Sequence, residues 1–463
     1  MAITNANFNN IDYVKASGKR LITCSSDKIG TTNVFNYRFL LELQISGKTY
    51  SYTFRPNNEN YGFINITKIL QAHIKDAGDV QQTLTVPEGS SDTVVQFKQN
   101  IHTIPHSGQF GLISNATNLD TFMIVCTLFD FYGDTIDAVP TKRTAGSSMG
   151  NLHVISGYDR ESDLINENYN SYKLTSVTSR FLNNNYEFSG SNYKVRCTMS
   201  DWGTLSAFRP SAVNTSQSAQ YINITYVDTS GGTSNASISV NITPQVQTGL
   251  ITTFPAYPQN LNKLQFITRP IDVPNLSHYF IVASTTTPIG SNASAYYKFI
   301  IEDDCEKYDR QRFAFINNFG VWEYITFTEL RTDNISSRPT NIKGSVFNYD
   351  GNYEDKFTAN GNEYREAGYV PNVAHRSEKT VATNFNETFT VNTGFLSKSD
   401  TEKVKDMFLS HKISYINTDG SARGVILETS TINAINNINK HYEQVSYSFS
   451  FRYSVPTYNN IIF

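Results

Sequence analysis

Only four cysteines occur in 463 residues, and Cys24, Cys126, Cys197 and Cys305 stand far apart with no CxxC or Cys/His spacing. That argues against a disulfide framework or a zinc site and points to folding in a reduced compartment. Charge is also scarce: 17% of residues are charged and the formal net charge is -3, so the chain lacks the broad cationic field that nucleic acid or an anionic membrane attracts. No run reaches the roughly 18 to 20 apolar residues that cross a bilayer, so no membrane span is expected. The opening MAITNANFNNIDYV has no basic start followed by an apolar core, which leads us to expect synthesis in a cytoplasm. Catalytic signatures are missing too. There is no G-x-S-x-G, Walker or H-E-x-x-H pattern, and no sequence-level base partners the serines or cysteines, so no enzyme and no cofactor are expected.

Aromatic residues are plentiful at 13%, nearly all Phe (30) and Tyr (28). With abundant Val, Ile, Thr and Ser they form the palette of half-buried pleated sheets. Asparagine is frequent, as in Asn183, Asn184 and Asn185, which suits turns and polar surfaces; an AT-rich genome gives the same bias. The Asn-x-Ser/Thr triplets at Asn65, Asn223 and Asn241 read as chance in such a chain.

The pattern along the chain is mainly β, with two or three β-sandwich-like domains and a few short covering helices. Residues 35–54 alternate through Tyr37, Phe39, Leu41, Leu43 and Ile45, break at Ser46-Gly47-Lys48, and alternate again through Tyr50, Tyr52 and Phe54, which predicts a hairpin. Asn65 is placed to cap a helix that sets Ile66, Ile69, Leu70 and Ile74 on one face. Strands are predicted at 94–101 and 121–133, the second apolar on both faces and so central. Residues 221–243 read as two strands around a Gly-Gly loop, and 254–264, with two prolines, as a rigid connector. Ser399 and Glu402 stand in capping-box spacing ahead of Val404, Met407 and Phe408. The cleanest strand alternates Val445, Tyr447, Phe449, Phe451 and Tyr453 with polar neighbours, placed to close a sheet. These features divide the chain into an N-terminal β domain at 1–165, a central β domain at 166–335, and a C-terminal β-rich domain at 336–463 with one short helix and an extended polar arm.

Three clusters carry potential chemistry. Asp303, Asp304 and Glu306, with Asp309 behind, could supply paired carboxylates, but their spacing matches no calcium loop and a solvated turn accounts for them. His102 and His106 are four apart, yet Pro105 between them disfavours a helical metal pair. Residues 348–355 are rich in oxygen ligands without EF-hand spacing, and read as a surface turn.

FAFINNFGVWEY, residues 313–324, holds one of two tryptophans. Phe313, Phe315, Trp322, Tyr324 and Phe327 can face a core across a hairpin, Gly320 permits a left-handed turn residue, and Asn317 and Asn318 can bond backbone locally. The competing reading is an exposed aromatic tip that contacts a neighbouring subunit or a sugar.

RFAFINNFGVWEYITFTE resembles the F-L-N-x-F-G-G-W-x-x-F-x-F hairpin of uncharacterised virion proteins of tailed bacteriophages. YRFLLELQISGKTY with YGFINITKILQAHI, FPAYPQNL, and FLSKSDTEKVKDMFLS with the terminal strand look similar to further segments of that family, in the same order. Val321 replaces the second glycine of the hairpin and Tyr257 the glycine of the connector. The resemblance implies a structural virion protein of the tail, tail tip or collar, assembling with copies of itself and other virion proteins. It makes Phe315, Asn317, Phe319, Gly320, Trp322 and Tyr324 the structural or interface candidates, with no catalytic, cofactor or metal residues. A receptor- or glycan-binding tail or head-fibre protein, stacking host surface glycan on Trp322, is the second reading. A polysaccharide depolymerase is the third, because such enzymes place two carboxylates far apart in sequence.

Overall fold

The computed structural model describes residues 3–5, 13–73 except 19 and 46, 114–115, 121–159 except 144–146, 169–208 except 184–185 and 190–191, 221–241 except 231–232, 251–262, 276–302 except 286–291, 307–343, 356–359, 362–365, 378–429 except 395, 397 and 419, 446–455 and 461–462. The predicted strand at 94–101, His102 and His106, Asp303, Asp304 and Glu306, Cys305, the Gly-Gly loop, Ile74, Val445 and residues 348–355 lie outside them. The chain is mainly β, as its composition and period-two patterning predicted.

The N-terminal part packs two sheets face to face. One orders Tyr13–Lys15, Ser147–Ile155, Thr121–Gly133, Phe35–Ile45 and Lys48–Phe54, with Thr141–Lys142 beside Thr121–Gly133; the other orders Thr4–Asn5, Leu21–Ser25 and Tyr61–Asn65. Their inward residues, among them Ile22, Phe39, Leu41, Leu43, Ile124, Cys126 and Leu128, form one buried cluster. The predicted hairpin closes with Ile45 opposite Lys48 and Gly47 at φ 79. Thr121–Gly133 is central as expected, between Ser147–Ile155 and Phe35–Ile45. The Asn65 side chain accepts a hydrogen bond from Thr67 N at 3.0 Å and so starts the helix Thr67–His73, which buries Leu70, with Ile66 buried just ahead of its first residue. Burial raises the Cys126 thiol to about 12, and Cys24 likewise, so both are inert structural thiols.

The central part has a six-stranded sheet ordered Glu187–Ser189, Asn192–Cys197, Tyr296–Ile301, Leu276–Ser284, Tyr221–Asp228 and Thr233–Asn241, and a small sheet of Thr204–Phe208, Ile251–Pro255 and Ser114–Asn115. Its core is aromatic: Tyr279 stacks on Phe299 at 4.8 Å, and Tyr193 on Tyr297 at 4.8 Å. The predicted connector at 254–264 is instead the end of a strand followed by the short helix Pro258–Asn262, which a proline at its first position favours.

The C-terminal part is an eight-stranded sheet ordered Trp322–Phe327, Gln311–Ile316, Ile413–Ile416, Ala422–Leu427, Ser448–Tyr453, Glu378–Asn392 and Thr332–Lys343, with Ile461–Ile462 beside Glu378–Asn392. Phe449, Phe451 and Tyr453 are buried, as their alternation predicted, but Ser448–Tyr453 is an interior strand and closes no edge. The helix Lys398–Leu409 buries Val404 and Met407 against this sheet. It begins ahead of the expected cap, so Ser399 lies inside its first turn, where Asp400 complements the positive helix end.

The 313–324 hairpin, expected within the central segment, hydrogen-bonds to Ile413–Ile416 of the C-terminal segment, with Phe313 opposite Tyr415. Its alternating residues serve two cores and not one. Ala314, Ile316, Trp322 and Tyr324 join the central cluster, while Phe313, Phe315, Ile325 and Phe327 join the C-terminal cluster. A strand covered on both faces buries its even and odd residues against different partners.

Candidate functional site

The five-residue loop of this hairpin, Asn317 to Val321, is where the three parts of the chain meet. Asn317 organises it from within: its Oδ1 accepts from Phe319 N at 2.9 Å and Val321 N at 3.3 Å, and its backbone carbonyl accepts from Gly320 N at 2.9 Å. These bonds replace a ladder at the turn, the role Asn side chains play when they satisfy their own backbone. Gly320 takes φ 75, the left-handed region that glycine enters without penalty.

From the N-terminal part, Gly157 and Ser156 come up against this loop so closely that a Cβ on Gly320 would lie 2.5 Å from the Ser156 carbonyl. Tyr158 N donates to the Asn318 carbonyl at 3.1 Å, and the buried Lys15 ammonium sits 4.3 Å from the centre of the Phe319 ring. From the central part, Tyr172 packs on Phe319 at 4.6 Å, Asn317 Nδ2 donates to the Leu182 carbonyl at 3.0 Å, and Asn183 Nδ2 donates to the Trp322 carbonyl at 2.6 Å. From the C-terminal part, Ile316 N donates to Ser410 Oγ at 3.1 Å.

All six sequence candidates gather here, and all are enclosed. Phe315, Asn317 and Phe319 are 0% exposed, Tyr324 2% and Trp322 6%, with Gly320 buried among them. The Trp322 ring belongs to the central core, so the exposed-tip arrangement that sugar stacking needs is not what this hairpin adopts. Tyr324 donates or accepts at Thr204 Oγ1, 2.9 Å away.

Two polar clusters beside the hairpin escaped sequence reasoning. Arg312 is buried with its Nε donating to the Trp202 carbonyl at 2.7 Å, its Nη1 3.3 Å from Asp201 Oδ2, and its guanidinium 4.5 Å from the centre of the Tyr257 ring. Burial works against this charge, and Asp201 with the Tyr257 hydroxyl outweighs it, leaving Arg312 above its ordinary range. The second cluster centres on Glu323, 0% exposed, whose Oε2 accepts from Asn317 Nδ2 at 3.0 Å while Oε1 has no hydrogen-bond partner. Burial first, then the Asp406 carboxylate, push the Glu323 carboxyl up to about 7, against the pull of Lys403 and Asn317. Alternation alone could have flagged Glu323, since it is a carboxylate on the same face as Phe313, Phe315 and Phe327.

Among the described residues, no group of three or more His, Cys, Asp or Glu is placed to hold a metal ion, and no helix is long and apolar enough to cross a membrane. No protein-family model matches the chain. No curated protein matches it. Among solved structures, one similar chain comes from work on host cell surface retention of a 1.5-MDa bacterial ice-binding adhesin; it is 8% identical, with 83% of this chain and 88% of that chain covered and a TM-score of 0.15. At that score the likeness carries no argument about this chain.

Proposed function

We propose that the chain is a non-enzymatic structural component of a tailed-phage virion, in the tail, tail tip or collar, that works by assembling with copies of itself and other virion proteins. The supporting observation is the strand Thr332–Lys343, exposed at all 12 positions on the edge of the eight-stranded sheet. It pairs with Glu378–Asn392, which itself meets the main sheet only over Thr388–Asn392. The remainder is a ribbon of these two strands with only the two-residue strand Ile461–Ile462 beside Ala382 and Thr383, a form only marginally stable in water until something covers it. Ile335 at 65% and Ile342 at 51% exposure offer apolar contact to a neighbouring subunit, while Pro339, Arg338 and Lys343 discourage indiscriminate strand addition to the free chain. The sealed hairpin junction fits the same reading, because it fixes three β-rich parts into one body without leaving an aromatic site open.

Mass spectra of purified particles are expected to contain the chain in stoichiometric amount, and its absence from them would overturn this function. Ile335→Asp with Ile342→Asp is expected to leave the thermal melt unchanged and to cut incorporation into particles about tenfold or more. Each isoleucine is worth about 1.5–3 kcal/mol when an interface buries it, and about 1.4 kcal/mol is a factor of ten.

A further inference from the structure

We propose that the outward face of the six-stranded central sheet binds an acidic saccharide, with His278, Phe280 and Tyr296 receiving the apolar faces of its sugar rings and Lys298, helped by Lys194, pairing with its carboxylate. The inference does not rest on the virion reading, because binding is measured on the purified chain alone.

The face comes from strict alternation along the strands. In Asn192–Cys197, Tyr296–Ile301, Leu276–Ser284 and Tyr221–Asp228, one set of residues, among them Tyr193, Tyr297, Tyr279 and Ile224, fills the central core. The other set lies on the opposite side of the sheet, where Tyr296 is 37% exposed and His278, Phe280, Lys298 and Lys194 are half-buried. Register brings them together: Lys298 stands opposite Phe280 on one side and Lys194 on the other, and Thr225 stands opposite Phe280. The Phe280 ring meets the His278 ring edge to face at 5.2 Å and the Tyr296 ring at 6.0 Å, and the Lys298 ammonium lies 5.8 Å from its centre. Asn292 Nδ2 donates to the Tyr296 hydroxyl at 2.7 Å, and Ser277 Oγ shares a hydrogen bond with His278 Nδ1 at 3.1 Å.

Charge complementarity selects the ligand. Two lysines directly opposite each other on neighbouring strands repel, a cost that a sheet shaped for packing alone avoids. Lys194 has Glu187 at 3.5 Å and Arg196 has Glu302 at 2.8 Å, but Lys298 has no carboxylate at ion-pair distance among the described residues, so an arriving anion meets an uncompensated ammonium. Burial first, and then Lys298, hold His278 below its ordinary range, which keeps the imidazole a neutral ring at pH 7. Aromatic rings with one polar edge suit the apolar side of a sugar, and the hydroxyls of Thr225, Ser277 and Tyr296 with the Asn292 amide suit a ligand covered in hydroxyl groups. One free ammonium beside one shared one is too little charge for a nucleic-acid backbone, whose affinity comes from many phosphates, and it matches a single sugar carboxylate.

Calorimetric titration of the full chain with galacturonate and sialic acid oligosaccharides, a neutral maltooligosaccharide and an oligothymidylate tests this. An acidic sugar should bind with Kd below about 1 mM and at least about tenfold more tightly than the neutral one. Lys298→Met, which keeps the aliphatic stem, should weaken that binding about tenfold by removing a charge-assisted contact, and Tyr296→Ser, at the exposed rim, should weaken it by at least about threefold, both with unchanged thermal melts. Binding of neither acidic sugar, equal binding of the neutral one, or full affinity in either variant would overturn the site. Tighter binding of the oligothymidylate, lost in Lys298→Met, would overturn the ligand class.

Discussion

Replacing Gly320 by alanine is expected to destabilise the chain by about 3–5 kcal/mol, in place of the roughly 1–2 kcal/mol that a glycine-to-alanine change costs at an unobstructed left-handed turn. Two effects add. A residue with a Cβ at φ 75 is strained by about 1–2 kcal/mol. The new Cβ would also lie 2.5 Å from the Ser156 carbonyl carbon and oxygen, and that backbone cannot retreat. It is followed by Gly157, at φ 129, where a Cβ would in turn meet the Asn318 carbonyl. The two segments lie backbone against backbone, so overlap at one is relieved only by opening the junction. Gly47→Ala is the control: its φ is 79, but nothing lies within 4 Å of the added Cβ. Thermal melts of both variants separate turn strain from junction overlap. Equal losses in the two would mean that the contact between Ser156 and the hairpin loop contributes nothing.

Asp201→Ala is expected to cost about 3–5 kcal/mol in urea unfolding, because it leaves Arg312 charged and enclosed without its carboxylate. Arg310, 3.5 Å from the same oxygen, loses that partner too, as does Thr198 N, which donates to it at 3.0 Å. Much of that loss is the cost of an uncompensated buried charge and not the net worth of the pair. Asp201→Leu with Arg312→Met should therefore recover a large part of it, retaining the aliphatic packing against Tyr257 and Tyr324. A double variant no more stable than Asp201→Ala would show that the ion pair itself holds the central core to the hairpin.

Some of the architecture was legible from local chemistry. A break at Ser46-Gly47 between two alternating runs specified a hairpin and which residues share a face, with Leu41 and Leu43 together on the covered one. Asn317, Asn318 and Gly320 likewise identified a tight turn. Whether the turn faced solvent or protein was not legible, because Asn and Gly serve both settings and the contacts that bury it come from Lys15, Tyr158 and Tyr172.

The sequence by itself determined the β class, the strands with strict alternation and the turns between them, because these depend on residues within a few positions of one another. Only the tertiary structure decided that the hairpin's two faces belong to two cores, that Arg312 meets Asp201, and that Glu323 is buried against Asn317. Period two states which residues share a face and is silent about what covers it. Tyr158 and Asp406, bonded across 248 residues, leave no local trace of their meeting. Their proximity comes from sheets that must pack before those side chains have any reason to approach.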